Sequence, residues 1–168
     1  MKEKFYIVGA GTYGEAMCEL ANILGYNVEG FYDDDHEKHG KLLMGVKIID
    51  SFNNLKKEDF LDKNFIVAVG NNKIRQNMCC KINKHGGHTP SLIHPTAVIS
   101  PSAQIGNGVY IQAMAYVWTN VKIDDYCIIS PNVVIAHHSI IGEACLVSTG
   151  TVVGASIKIK EKSFLGIG

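Results

Sequence analysis

Net charge is the first thing this sequence lacks: sixteen lysines and arginines are balanced by sixteen aspartates and glutamates. A chain without a charge excess has no field to draw it to nucleic acid or to an anionic membrane surface. Long apolar stretches are also missing, since no run reaches the ~18 to 20 residues of a bilayer-spanning helix. The first residues turn polar and then read as a strand, so no signal peptide is expected. No CxxC pair occurs among the five cysteines, an odd count that cannot be fully paired. Reduced thiols and a cytoplasmic location are the simplest expectation. At 168 residues the chain can form one ordinary domain or two small ones.

What is present falls into two textures. Up to about residue 90, short apolar runs alternate with helix-like stretches. Phe5-Tyr-Ile-Val8 ends in Gly9, as a buried parallel strand does. Gly14 to Leu24 carries apolar residues at helical spacing and closes on Gly25. A second strand is expected over Val28 to Tyr32, a short one over Val46 to Ile49, and a further one over Phe65 to Val69. Asp50 or Ser51 can cap a short helix toward Phe60, and Asn72 to Asn83 reads as a helix. Alternation of this kind predicts an α/β domain over 1–90, with a parallel Rossmann-like sheet.

From Ile93 the period changes to six. Every sixth residue, namely 93, 99, 105 and so on to 165, is isoleucine, valine or leucine without a break. Four residues further on lies a second series, from Ala97 through Cys127, Ser139, Cys145, Thr151 and Ile157 to Ser163, small or β-branched almost throughout. Six fits neither the helical repeat nor simple alternation. It fits a parallel β-helix in which three hexapeptides make one triangular coil. The aliphatic residue points inward and stacks on its equivalents, ~4.8 Å apart along the axis. The expected β-helix domain runs over 91–168 with about four coils, which by likeness to known hexapeptide proteins would wind left-handed. It stops in mid-hexapeptide at Gly168, which suggests an incomplete end.

Several residues carry chemistry. Gly9-x-Gly11-x-x-Gly14 follows a strand and opens a helix, the context of a phosphate-binding turn. Tight strand–helix packing would also require glycines there. Asp33 or Asp34, ending the second strand, could hydrogen-bond a ribose or base edge. By itself this pattern would also suit NAD, but the domain is short for a dinucleotide. Gly70, Asn71 and Asn72 lie where open sheets bind ligands, with Arg75 one turn on to reach phosphate. The competing reading makes the asparagines caps and leaves Arg75 solvated. His137 and His138 fall outside both inward series, at a corner. An imidazole, with its ordinary pKa of ~6.5, suits removal of a proton from a nucleophile near neutrality. Cys127 and Cys145 fall in the inward series, so packing accounts for them and covalent catalysis is not expected. His36-x-x-His39 and His85-x-x-His88 lack partners at ligand spacing, so no metal is expected.

The whole chain resembles the sialic acid O-acetyltransferase (NeuD) family and its PglD-like relatives, which N-acetylate nucleotide-linked amino sugars. The matching stretches are Tyr6-Ile-Val-Gly-Ala-Gly-Thr-Tyr-Gly14, Phe31-Tyr-Asp-Asp34, Ala68-Val-Gly-Asn-Asn-Lys-Ile-Arg75, Ile93-His-Pro-Thr-Ala-Val-Ile-Ser-Pro101 and Ile135-Ala-His-His-Ser-Ile-Ile-Gly-Glu143. The resemblance implies an acetyl-CoA-dependent homotrimer whose active sites lie between neighbouring β-helices. It assigns the N-terminal domain to a nucleotide sugar or sialic acid, the catalytic base to His137, and a coenzyme A contact to Gly154-Ala155. The sequence departs from the family in having His138 where an acidic residue usually follows the base. It also has Ser130-Pro131 for Asn-Thr, Tyr13 for a histidine, and Gly-Ala for Ala-Gly. Those departures motivate a second expectation, a binding module of the same fold without transfer chemistry. A zinc lyase like the gamma-type carbonic anhydrases is a more distant third.

Overall fold

The computed structural model describes residues 3–168. The chain divides into two compact units, Met1–Pro90 and Ser91–Gly168.

In the first unit, strands β1 (Lys4–Val8), β2 (Asn27–Tyr32), β3 (Leu42–Leu43), β4 (Val46–Asp50) and β5 (Asn64–Val67) form one sheet in the order β3-β4-β2-β1-β5. All pairings are parallel except β3 with β4. Phe5, Ile7, Phe31, Phe65, Ile66 and Val67 are fully buried, so the central strands read as continuous apolar runs because both faces are covered. Helix α1 (Thr12–Ile23) buries Met17, Cys18, Leu20 and Ala21. Its exit turns on Gly25, whose φ of +82° is the left-handed conformation that glycine adopts without strain. Helix α3 (Asn72–Lys84) buries Cys79 and leaves the adjacent Cys80 exposed, as two neighbours on a helix must face different ways.

The sequence predicts a single short helix from Asp50 or Ser51 toward Phe60. The chain instead makes two turns, a 3-10 turn at Phe52–Asn54 and helix α2 at Lys57–Phe60. Ser51 Oγ caps the first by accepting from Asn53 N at 3.1 Å, and Leu55, in extended conformation, interrupts the run.

The second unit contains thirteen two-residue strands, β6 (Leu92–Ile93) to β18 (Phe164–Leu165), one on every predicted rung. They stack into three parallel sheets, β7-β10-β13-β16, β8-β11-β14-β17 and β6-β9-β12-β15-β18. Each paired residue lies 18 positions from its partner, as in Tyr116↔Val134 and Lys122↔Ile140, so three hexapeptides close one coil. Ile111, Val117, Ile129, Ile135, Ile141 and Val147 are fully buried along the axis. Each such rung contributes about 2 to 3 kcal/mol of apolar burial.

The small series does more than fill a narrow space. Ser91, Cys127, Ser139 and Cys145 each donate to the carbonyl 15 residues ahead, at 2.7, 3.1, 2.7 and 3.0 Å. Thr151 shares its hydroxyl between Ser148 O and Gly166 O, both at 2.7 Å. Buried hydroxyls and thiols in this position therefore satisfy corner carbonyls of the next coil. Ile157 departs from the inward series, being 43% exposed. Corners have their own period: Gly108, Met114, Asn120, Tyr126, Asn132, His138, Ala144, Gly150, Ser156 and Lys162 all have φ between +54° and +74°.

Candidate active site

The carboxyl ends of β1, β2 and β5 meet at a depression of about 120 Å³ lined by Gly9, Tyr32, Asp33, Asp34, Phe52 and Val69, among others. The three glycines of the turn serve different ends. Gly9 has φ +104°, and a Cβ there would stand 2.7 Å from Ala68 O. A Cβ on Gly14 would stand 2.2 Å from Gly9 O. Both are demanded by packing. Gly11 is different: a Cβ there meets nothing within 4 Å, and as the N-cap of α1 it makes no side-chain hydrogen bond to the first turn. Open space beside an uncapped helix start is the geometry that an anionic group can approach.

Asp33 is committed within the fold. Its carboxylate accepts from Ala10 N at 2.7 Å, Asp35 N at 2.9 Å and Lys38 Nζ at 3.2 Å, tying the end of β2 to the glycine turn. Partial burial opposes its ionisation, but the amides of Ala10 and Asp35 and the Lys38 ammonium outweigh it, and its pKa lies below the ordinary value. Asp34 accepts from Ser51 Oγ and, at 2.9 Å, from Asn53 Nδ2. It is exposed at the rim. The neighbouring Tyr32 phenol is pushed up to about 12, chiefly by burial, and stays neutral.

The second cluster corrects one expectation. Arg75 does not reach out to phosphate. Its side chain is 0% exposed, and its guanidinium donates to Val69 O at 3.0 Å, Gly70 O at 3.3 Å and Asn72 Oδ1 at 2.9 Å. A charge this deep is tolerated because carbonyl dipoles and an amide oxygen replace water. Asn72 thus spends its oxygen on Arg75, and Asn71 spends its own capping α3 through Ile74 N at 3.0 Å. Gly70 is exposed, and a Cβ on it would meet nothing within 4 Å.

In the second unit, His137 and His138 follow β13 (Val134–Ile135) and are exposed, outside the packed interior. His137 Nδ1 and His138 Nδ1 are 3.1 Å apart. Trp118 stands beside His137, with ring centroids 6.1 Å apart and planes 31° apart. The 18-residue coil sets the neighbours on either side. One coil earlier, Asn120 Nδ2 lies 3.2 Å from His138 Nε2. One coil later, Ser156 N donates to His137 O at 2.9 Å. Gly154 and Ala155 flank that bond and are exposed, and a Cβ on Gly154 would find only Ile157 Cγ1, at 3.7 Å. The corner around Gly154 and Ala155 is therefore open enough to receive a ligand backbone to backbone. Asn120 and Trp118 were not singled out from the sequence. Subtracting 18 from His138 leads to Asn120, so the repeat itself held the signal. Among the described residues no group of histidine, cysteine and acidic side chains could hold a metal ion.

The PglD N-terminal domain family matches residues 4–82, and the GMPPB C-terminal domain family matches residues 87–167. GDP-perosamine N-acetyltransferase of Escherichia coli O157:H7 is 28% identical over 167 residues, 96% of this chain and 75% of that protein. The acetyltransferase domain of PglB from Neisseria gonorrhoeae FA1090, solved with acetyl coenzyme A, superimposes with a TM-score of 0.80 at 28% identity, covering 100% of this chain and 90% of that one.

The chain is similar in both of its units to the PglD-like acetyltransferases.

The PglD-like fold extends to perosamine N-acetyltransferase from Caulobacter crescentus, solved as a histidine variant with CoA and GDP-perosamine. Its TM-score is 0.83 at 24% identity, over 98% of this chain and 86% of that one. No helix among the described residues is long and apolar enough to cross a membrane.

Proposed function

We propose that this chain transfers the acetyl group of acetyl-CoA to the amino group of a nucleotide-linked sugar, with His137 as general base. One observation carries the reading: the exposed His137 imidazole shares a corner with the open Gly154–Ala155 backbone one coil further on. A base beside a free backbone edge suits transfer from a thioester held along that edge. The acceptor's nucleotide would lie in the depression at Gly9, Gly11, Asp33 and Asp34, in a Rossmann-like unit. Its phosphate would meet the start of α1 at Gly11, with Gly70 and the outer faces of Asn71 and Asn72 on the far rim. The β-helix would wind left-handed, as in the resemblance, and its exposed apolar column Val98, Tyr116 and Val152 suits packing against other copies in a homotrimer.

Free thiol released from acetyl-CoA, followed with UDP- and GDP-linked amino sugars and with sialic acid as competing acceptor, tests this. Thiol release is expected with a nucleotide-linked amino sugar, and His137→Ala should lower kcat about 100-fold or more. Absence of release with every acceptor, or full activity in His137→Ala, overturns the proposal. A second reading, a nucleotide-sugar-binding module, is favoured by one feature, the lack among the described residues of a carboxylate paired with His137. Calorimetry separates the two, because that reading requires nucleotide-sugar binding without acetyl-CoA binding.

A further inference from the structure

At the corner after β13, two imidazoles and an amide form a chain. His137 Nδ1 is 3.1 Å from His138 Nδ1, and His138 Nε2 is 3.2 Å from the Asn120 amide. A neutral imidazole has one N–H and one lone pair, so its two ring nitrogens take opposite roles. Two patterns are then self-consistent. In one, Asn120 donates its NH₂ to His138 Nε2, His138 donates Nδ1–H to His137, and His137 carries its own proton on Nε2. In the other, the Asn120 oxygen accepts from His138 Nε2–H, His137 donates Nδ1–H to His138, and His137 Nε2 is left with a lone pair. Only the second leaves Nε2 of His137 as a base. In the structure Asn120 presents Nδ2 to His138 Nε2, the first pattern, and a half-turn of its exposed amide presents Oδ1 instead and gives the second.

We propose that Asn120 and His138 are positioning residues for His137: Asn120 sets the tautomer of His138, and His138 takes up the Nδ1 proton of His137 during transfer. The inference rests on the acetyl-transfer reading. The acceptor amine nitrogen attacks the thioester carbonyl, and an N–C bond forms. The amine proton passes to His137 Nε2 while the Nδ1 proton of His137 moves to His138 Nδ1. His138 is then the cation, with Nε2–H donating to the Asn120 oxygen. When the C–S bond breaks, the sulfur leaves with the bonding pair. The Nδ1 proton returns to His137, which delivers its Nε2 proton to the thiolate. The products are the amide and the free thiol, and the three side chains end as they began. Positive charge is shared with a second imidazole where a carboxylate would have offset it.

The fold explains why these residue types meet. Asn120 and His138 occupy the same left-handed corner in successive coils, with φ +54° and +61°. Asparagine and histidine are among the non-glycine residues that tolerate this region best. The column continues through uncharged groups: Ser102 Oγ accepts from Asn120 N at 3.0 Å, and Ser156 follows His138. Trp118 covers one flank of His137. Neither imidazole has an ion-pair partner among the described residues.

Substitutions compatible with a left-handed backbone provide the test. Histidine side-chain ¹⁵N spectra of the full chain without substrates, recorded with the imidazoles neutral, should show His137 as the Nδ1–H tautomer. Asn120→Gly should mix the tautomers and lower kcat by about tenfold or more with KM unchanged, whereas Asn120→Asp, which can only accept, should preserve both tautomer and kcat. His138→Asn retains an acceptor but cannot take a proton, so kcat should fall at unchanged KM, and His138→Asp should restore it. An Nε2–H tautomer at His137 in the unmodified protein, or an undiminished kcat in His138→Asn, overturns the inference. Should no sugar be acetylated at all, the acetyl-transfer reading fails, while the spectra still decide the tautomer.

Discussion

Arg75 shows how far a residue's type can mislead about its role. An arginine one turn into a helix, behind a strand end, has the profile of a phosphate ligand. Here it is an internal strut whose bonds to Val69 O, Gly70 O and Asn72 Oδ1 hold the Val69–Asn72 turn in shape. Arg75→Met would take the guanidinium donor from those acceptors, at a cost of about 1 to 3 kcal/mol. Urea unfolding of the variant should show that loss in the midpoint, and an unchanged midpoint would contradict the strut. Asp33 gives the corresponding prediction for pH. Its folded pKa is depressed, so its contribution is fully present above the unfolded value of ~3.9 and is lost as pH falls through the lower folded value. Asp33→Asn should flatten the acid side of the stability profile below about pH 4, measured by thermal melts across pH. An acid limb as steep as in the unmodified protein would count against the assigned hydrogen bonds.

Among the elements, the glycine turn separates what a motif says from what each of its members does. The spacing Gly9-x-Gly11-x-x-Gly14 was legible as a strand-to-helix turn, and β1 and α1 flank it as expected. Which glycine serves packing was not legible, because that depends on where Ala68 O and Gly9 O come to lie in three dimensions. The structure makes the distinction testable. Gly14→Ala sets a methyl 2.2 Å from a carbonyl oxygen and should destabilise or misfold the first unit. Gly11→Ala has room, so the fold should persist while calorimetric affinity for a nucleotide sugar drops. Equal melting temperatures for both variants would refute the division. The helix caps behave similarly: Asn71 was legible as a cap or a ligand, and only the Ile74 amide at 3.0 Å decides that its oxygen is used for the former.

For the molecule as a whole, the thirteen rungs were readable because the period lies in side-chain chemistry, aliphatic against small, and no insertion disturbs the 18-residue register. The corners were not readable, because beside glycines, asparagines and a histidine they also hold Met114, Tyr126, Ala144 and Lys162, side chains that share only a backbone conformation. Stability along such a stack is close to a sum of coil and neighbour terms. Ile135→Ala, in the fully buried centre, should therefore cost about 3 to 5 kcal/mol. Ile159→Ala, at a rung that is only partly buried, should cost distinctly less. Denaturant titration of the two variants side by side measures the difference, and equal losses would mean that the stack does not behave as a set of neighbouring coils.

The left-handed corners also bear on how this protein could have acquired its chemistry. A side chain other than glycine costs about 1 to 2 kcal/mol in that conformation, and less for asparagine, aspartate and histidine, which are polar and short. His138 directly follows His137 at such a corner. Drift at that position is thus biased toward side chains able to hydrogen-bond an adjacent imidazole. A histidine arising by chance just ahead of any corner would meet a suitable companion more often than on an open surface. Exchange of one companion for another would then be an inexpensive evolutionary step, requiring no change in the path of the chain.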